Sequence, residues 1–86
     1  MYYVYIVLCK DQTLYTGIAT DLVRRINEHN HAKLGARYTA SRRPVKLIYS
    51  KSFNNRSVAT REEARIKKLK RSEKLDLVKR YRKYVQ

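Results

Sequence analysis

Tyr2 to Leu8 is an unbroken run of aromatic, β-branched and aliphatic residues, Leu14 to Ile18 is a second, and the polar Lys10-Asp11-Gln12 stands between them. That spacing predicts an antiparallel hairpin. In the first run both alternating sets are apolar or aromatic, Tyr3, Tyr5 and Val7 on one side and Val4, Ile6 and Leu8 on the other. A strand of this kind is central and covered on both faces, so helices must pack against it.

Thr20 or Asp21 can cap a helix from about Asp21 to Asn30, in which Leu22, Val23 and Ile26 recur at helical spacing. At 100° per residue from Leu22 this stripe centres near about 45°, with Arg25 near about 300° and His29 near about 340°. Arg25 and His29 therefore share one edge of the stripe and project beside the sheet. A polar connection holding Gly35, Arg37, Tyr38, Arg42, Arg43 and Pro44 leads to Val45–Tyr49, a third strand. Ser57 to Lys70 reads as a helix with Ala59, Ile66 and Leu69 inward. Ser72 can cap a last helix that turns Leu75, Val78, Tyr81 and Val85 inward. The expected fold is α+β, order ββαβαα, with a small three-stranded, mainly antiparallel sheet flanked by helices.

Length and charge narrow the function. Eighty-six residues suit one domain, expected here to span 1–86, with no linker-like stretch and only two glycines and one proline. Lys and Arg number 21 against seven Asp and Glu, a net charge of +14 that draws polyanions. The asymmetry is internal: residues 1 to 40 hold five basic and three acidic side chains and residues 41 to 86 hold sixteen and four, giving +2 and +12. One cysteine, Cys9, cannot form an internal bridge, and the apolar opening is too short to span a bilayer. A reducing, cytoplasmic setting is expected, with no membrane association.

Cysteine clusters and glycine-rich phosphate loops are absent, and His29 and His31 lack zinc spacing, so neither zinc nor a nucleotide cofactor is expected. What remains is a set of hairpin tyrosines, an Arg and a His one turn apart, and the acidic pair Glu62-Glu63 on a basic helix. These types suit phosphodiester hydrolysis, which needs an activated water, a cationic clamp and relief of charge on the leaving oxygen.

Val4-Tyr5-Ile6 followed by Leu14-Tyr15-Thr16-Gly17-Ile18 and Leu22-Val23-Arg24-Arg25-Ile26 resembles the hairpin and first helix of the GIY-YIG nucleases. Ala59, Glu63, Ile66, Lys67 and Leu69 resemble the later helix of the small stand-alone bacterial members, so the likeness covers roughly residues 2 to 75. The chain departs from the family's name pattern, with Tyr3-Val4-Tyr5 for Gly-Ile-Tyr and Tyr15-Thr16-Gly17 for Tyr-Ile-Gly. The resemblance implies Tyr5 and Tyr15 near the attacking water, Arg25 on the scissile phosphate, His29 assisting proton movement, and Glu63 on Mg²⁺ or Mn²⁺. Either tyrosine could be the base.

Other readings of the same residues stand beside these. Thr60 with Glu63 fits a capping box, and the helical wheel puts Glu62 nearer the stripe than Glu63. Gly17 fits a strand-end residue that needs no side chain, whether for a bulge or for close approach by substrate. Arg37, Arg42, Arg43, Lys67, Lys68, Lys70 and Arg71 are candidate nucleic-acid contacts, although charge runs are commonly just solvated faces. The functional expectation is a metal-dependent DNA endonuclease of low sequence specificity, with RNA left open as a substrate. The alternative is a non-catalytic basic domain that binds nucleic acid through the same surface and stacks bases on its tyrosines.

Overall fold

The computed structural model describes residues 1–31 and 41–85. Arg37 and Tyr38 of the expected connection, and the side chain of Val85, lie outside what is described. The chain runs β1 (Tyr2–Leu8), β2 (Leu14–Ala19), α1 (Leu22–His31), β3 (Lys46–Phe53), α2 (Arg56–Lys67) and α3 (Arg71–Val85), which is the α+β order ββαβαα. The strands form one antiparallel sheet in the order β2-β1-β3, with β1 in the middle as its double apolar pattern predicts.

The two faces of β1 bury different things. Val4 and Ile6 pack with Tyr49 of β3, Ala59 and Ile66 of α2 and Val78 of α3. Tyr5 and Val7 pack on the opposite side with Cys9 and Val45, bordered by Tyr15, Leu22 and Ile26. Ile48 is passed over where the pairing steps from Ile6–Tyr49 to Val7–Leu47, a bulge that keeps both apolar sets of β3 on their proper faces. The hairpin turn is closed by Asp11, whose carboxylate accepts from the Thr13 amide and hydroxyl at 3.1 and 2.6 Å, while Gln12 takes a left-handed φ of 71°.

Five local expectations are corrected. Val23 is 84% exposed, so the inward side of α1 is Leu22, Ile26 and His29. Apolar identity drew the stripe toward Val23, but packing against Tyr5 and Tyr15 rotates the buried face toward Arg25 and His29. The cap of α2 is Asn55, whose side chain accepts from the Val58 amide at 2.9 Å, and Thr60 lies inside the helix. The capping-box reading of Glu63 therefore falls away.

The helix expected through Lys70 ends instead at Lys67. Lys68 closes it with its amide directed at the Arg65 and Ile66 carbonyls, and Leu69 then packs against the core. The next helix begins at Arg71, with the Glu73 carboxylate reaching back to the Lys70 amide at 2.8 Å. That backward reach is one half of a capping box, and it replaces the expected Ser72 cap. Leu75, expected inward on α3, is 41% exposed, whereas Leu77 packs on the core beside Val78 and Tyr81.

Candidate active site

Tyr5 lies mid-strand opposite Gly17. Its ring crosses the neighbouring strand there: a Cβ on Gly17 would stand 2.5 Å from the Tyr5 hydroxyl and 2.7 Å from Cζ. Only glycine leaves that passage open, so Gly17 serves the tyrosine beside it rather than a strand end or a bulge. On the far side the Tyr5 hydroxyl meets His29 Nε2 at 2.7 Å, and both residues are fully buried. Tyr15 completes the aromatic group, its ring centroid 5.2 Å from His29 and 6.5 Å from Tyr5, and it is only half-buried.

Helix α1 supplies His29 and Arg25 from adjacent turns of its inward face. Arg25 hydrogen-bonds the Tyr5 side chain, lies within electrostatic reach of Tyr15, and pairs with Glu28 at 3.2 Å. Burial opposes the Arg25 charge, but the bonds to Tyr5 and Glu28 outweigh it and raise its pKa. Tyr5 is pushed up to about 12, chiefly by burial, with the Arg25 guanidinium pulling the other way and Tyr15 and Glu63 adding to the rise. His29 is held down at about 4 by burial and by the Arg25 charge, with Arg43 contributing and Glu28 opposing. At neutral pH the buried pair is thus a neutral phenol on a neutral imidazole.

The two glutamates of α2 face different neighbours. Each is 18% exposed, so neither is the more inward, contrary to the helical wheel. Glu62 is held below the usual carboxylate range by a two-pronged bond from Arg65, both contacts at 2.7 Å, and its charge acts on Tyr49. Glu63 pairs with Lys67 at 3.4 Å, and its charge reaches Tyr5. Glu63 is accordingly the acid whose charge reaches Tyr5, from the helix that packs on the other face of β1.

The basic candidates are spread out. Arg42 binds Asp11 at 2.9 Å, and Arg43 donates from Nε to the His29 carbonyl at 2.5 Å, so both guanidinium groups are engaged within the fold. Lys67 is tied to Glu63, and Lys68 and Lys70 are exposed on the corner between α2 and α3. Arg71 lines a shallow cleft with Lys74, Thr13 and Leu14 at the turn end of β2. Arg37 lies outside the described residues. Two partners went unforeseen in the sequence. Glu28 was visible as an acid three residues after Arg25. Asn30, which pairs with the backbone of Val45, had no local signal.

A family model described as the GIY-YIG catalytic domain matches residues 1–76. The chain belongs to this family. Membership points to a nuclease-type enzyme and to nucleic acid as the substrate. Among similar proteins, a UPF0213 protein of Syntrophus aciditrophicus is 51% identical over 77 residues, covering 90% of this chain and 88% of the relative. A UPF0213 protein of Streptococcus agalactiae is 49% identical over 80 residues, covering 93% and 90%. Two solution NMR structures share the fold. The UPF0213 protein of Bacillus halodurans matches at 42% identity with a TM-score of 0.60, covering 92% of this chain and 84% of that one. An E. faecalis protein matches at 43% identity with a TM-score of 0.65, covering 94% and 85%. Among the described residues no helix is long and apolar enough to cross a membrane.

Proposed function

We propose that this chain is a divalent-metal-dependent endonuclease that hydrolyses DNA phosphodiester bonds with low intrinsic sequence specificity. The observation that carries this reading is the sealed Tyr5–His29 pair, bonded at 2.7 Å, with Arg25 bonded to the same tyrosine and Tyr15 half-exposed beside it. Burying two polar rings where apolar ones would pack costs stability unless each is satisfied, and a surface that only binds DNA gains nothing from them. A site that must hold a cationic clamp still gains a great deal.

Tyr15, less deeply buried than Tyr5, is the tyrosine assigned to the nucleophilic water. As the phenolate, Tyr15 takes the water's proton and becomes the neutral phenol as the water oxygen attacks phosphorus; the bond to the leaving oxygen breaks in line, and that oxygen is protonated from solvent. Arg25 presents its planar fork to the non-bridging oxygens, where charge grows, and stands in electrostatic reach of Tyr15, where it favours the phenolate. Tyr5 accepts the Arg25 bond and passes its own hydroxyl proton toward the neutral Nε2 of His29, so the clamp is fixed from behind. With its pKa near 12, Tyr5 is a weak candidate for the base at neutral pH. The incoming phosphate competes with Glu28 for Arg25, an exchange of one partly exposed ion pair for another.

The donor set suits Mg²⁺ or Mn²⁺ on Glu63. Such an ion keeps most of its waters and needs one or two carboxylates plus substrate phosphate. No cluster of three or more His, Cys, Asp or Glu side chains exists among the described residues, which does not suit a metal held tightly by protein ligands alone. Bound there, the ion supplies charge neutralisation at the scissile phosphate. Lys67, the present partner of Glu63, is then free to meet phosphate.

Low specificity follows from contact type. Exposed lysines and arginines position a backbone, and each helix of this small fold is occupied in covering the sheet. The test is incubation with plasmid, branched and single-stranded DNA, and with RNA, in Mg²⁺ or in chelator. The expected result is Mg²⁺-dependent cleavage of DNA. Retained gel shifts with no product on any substrate would favour the non-catalytic binding domain.

A further inference from the structure

The segment before β3 is strapped across the last turn of α1 by two separate clasps. Arg43 donates from Nε to the His29 carbonyl at 2.5 Å and from Nη2 to the Glu28 carbonyl at 3.4 Å. Two residues on, the Val45 amide donates to Asn30 Oδ1 at 2.7 Å and Asn30 Nδ2 donates to the Val45 carbonyl at 3.2 Å. The strap is itself anchored on the hairpin turn. The Lys10 amide donates to the Arg42 carbonyl at 2.9 Å, and the Arg42 side chain binds Asp11 at 2.9 Å.

Carbonyls in the last turn of a helix have no partner within the helix, and Arg43 answers two of them. His29 is consequently held from both ends, its ring by Tyr5 and its carbonyl by Arg43, and the residue after it is held by Val45. A guanidinium placed there also adds positive charge near the imidazole. The groups facing His29 are Tyr5 from β1, Tyr15 from β2, Arg25 and Glu28 from α1, and Arg43 from the strap; only Glu28 favours the imidazolium.

We infer that Arg43 and Asn30 are positioning residues of the cleavage reaction, and that Arg43 holds His29 in place rather than contacting DNA. The inference rests on the proposed role of the Tyr5–His29 pair. A site whose clamp is braced through that pair loses rate when the brace loosens, and a shift of about 1 Å can cost about 10²-fold. Substrate affinity depends on other cations and changes little.

The experiment is side-chain NMR titration of His29 together with single-turnover cleavage and salt-dependent DNA binding in the full chain, for wild type, Arg43→Gln, Arg43→Lys and Asn30→Ala. In Arg43→Gln the His29 midpoint is expected to rise a little above about 4, because burial and Arg25 still hold it down. Cleavage per bound complex is expected to fall about 10- to 100-fold with the salt slope unchanged. Arg43→Lys keeps the charge and one donor, so it is expected to hold the midpoint near wild type and recover part of the rate. Asn30→Ala is expected to slow cleavage with the Arg43 charge still present.

An unchanged His29 midpoint and rate in Arg43→Gln would overturn the inference. So would a salt slope flattened by about 0.9 with the bound complex cleaving normally, the mark of one lost phosphate contact. If Arg43→Gln does not fold, a full wild-type cleavage rate in both Arg43→Lys and Asn30→Ala overturns it equally. If the wild type cuts nothing, the titration still decides whether the clasp positions His29, and only the nuclease reading is lost.

Discussion

β1 sends Val4 and Ile6 to one face and Tyr5 and Val7 to the other, and all four are fully buried, yet the two faces meet different chemistry. Toward α2 and α3 the contacts are almost wholly apolar, with Ile66 and Val78 closing over the strand. Toward α1 the same strand buries a phenol on an imidazole beside a guanidinium. An apolar face stabilises by area and close packing, whereas a buried polar pair at best offsets its own desolvation. Stability and chemistry are thus divided between the two sides of one strand.

The division can be tested from each side. Ile66→Ala on the apolar face is expected to cost about 2–5 kcal/mol in urea unfolding. Cleavage per folded molecule is expected to stay as in the wild type; a matching loss of rate in fully folded protein would break the comparison.

Next in size is the pH dependence carried by the polar face. The pKa of His29 is lower folded than unfolded, so its contribution is complete above about 6.5 and is lost as pH falls toward about 4. The unfolded chain binds the proton first in that window, and the loss is on the order of 3 kcal/mol. Tyr5 acts at the other end: the unfolded chain releases its proton near 10 and the folded chain near 12, so stability falls as pH rises between them. Unfolding free energies measured across pH check both limbs, and His29→Gln is expected to flatten the acid one.

Gly17→Ala sharpens the comparison because it inserts one methyl into the Tyr5 passage, 2.5 Å from the hydroxyl. It is expected to cost about 1–3 kcal/mol and to displace the His29 resonances. An unmoved His29 spectrum would show that the ring has room to spare. The smallest effect per residue belongs to the outer charges. Replacing Lys67, Lys68, Lys70 and Arg71 with Gln is expected to flatten the salt dependence of DNA binding from a log–log slope near about −4.5 by up to about 0.9 per lost phosphate contact. All DNA sequences should weaken alike, since phosphate contacts position without reading bases.

Much of this architecture was legible in the chain. β1 declared its central place because both of its alternating sets are apolar, and Arg25 and His29 could be put on one helix edge from spacing alone. Val23 misled because a helical stripe records which residues are apolar and not which side the sheet lies on. Residues 65–70 read as the end of one helix because the break depends on Leu69 reaching the core and on Glu73 reaching back, neither of which is a propensity signal. Periodicity could not pair Tyr5 with His29, 24 positions apart. Nor could it show that Arg43 turns inward to α1, since an arginine among arginines carries no local mark of its partner.

The most direct test of the central claim is single-turnover cleavage by Arg25→Ala, with DNA affinity measured on the same samples. Arg25 stands where the polar face of β1 meets solvent, bonded to Tyr5 and paired with Glu28. If this face stabilises the transition state, cleavage per bound complex falls about 10²- to 10³-fold while affinity changes little, and Arg25→Lys does not restore full rate. Equal losses in affinity and in cleavage, or full activity in Arg25→Ala, would contradict the division of labour between the two faces of β1.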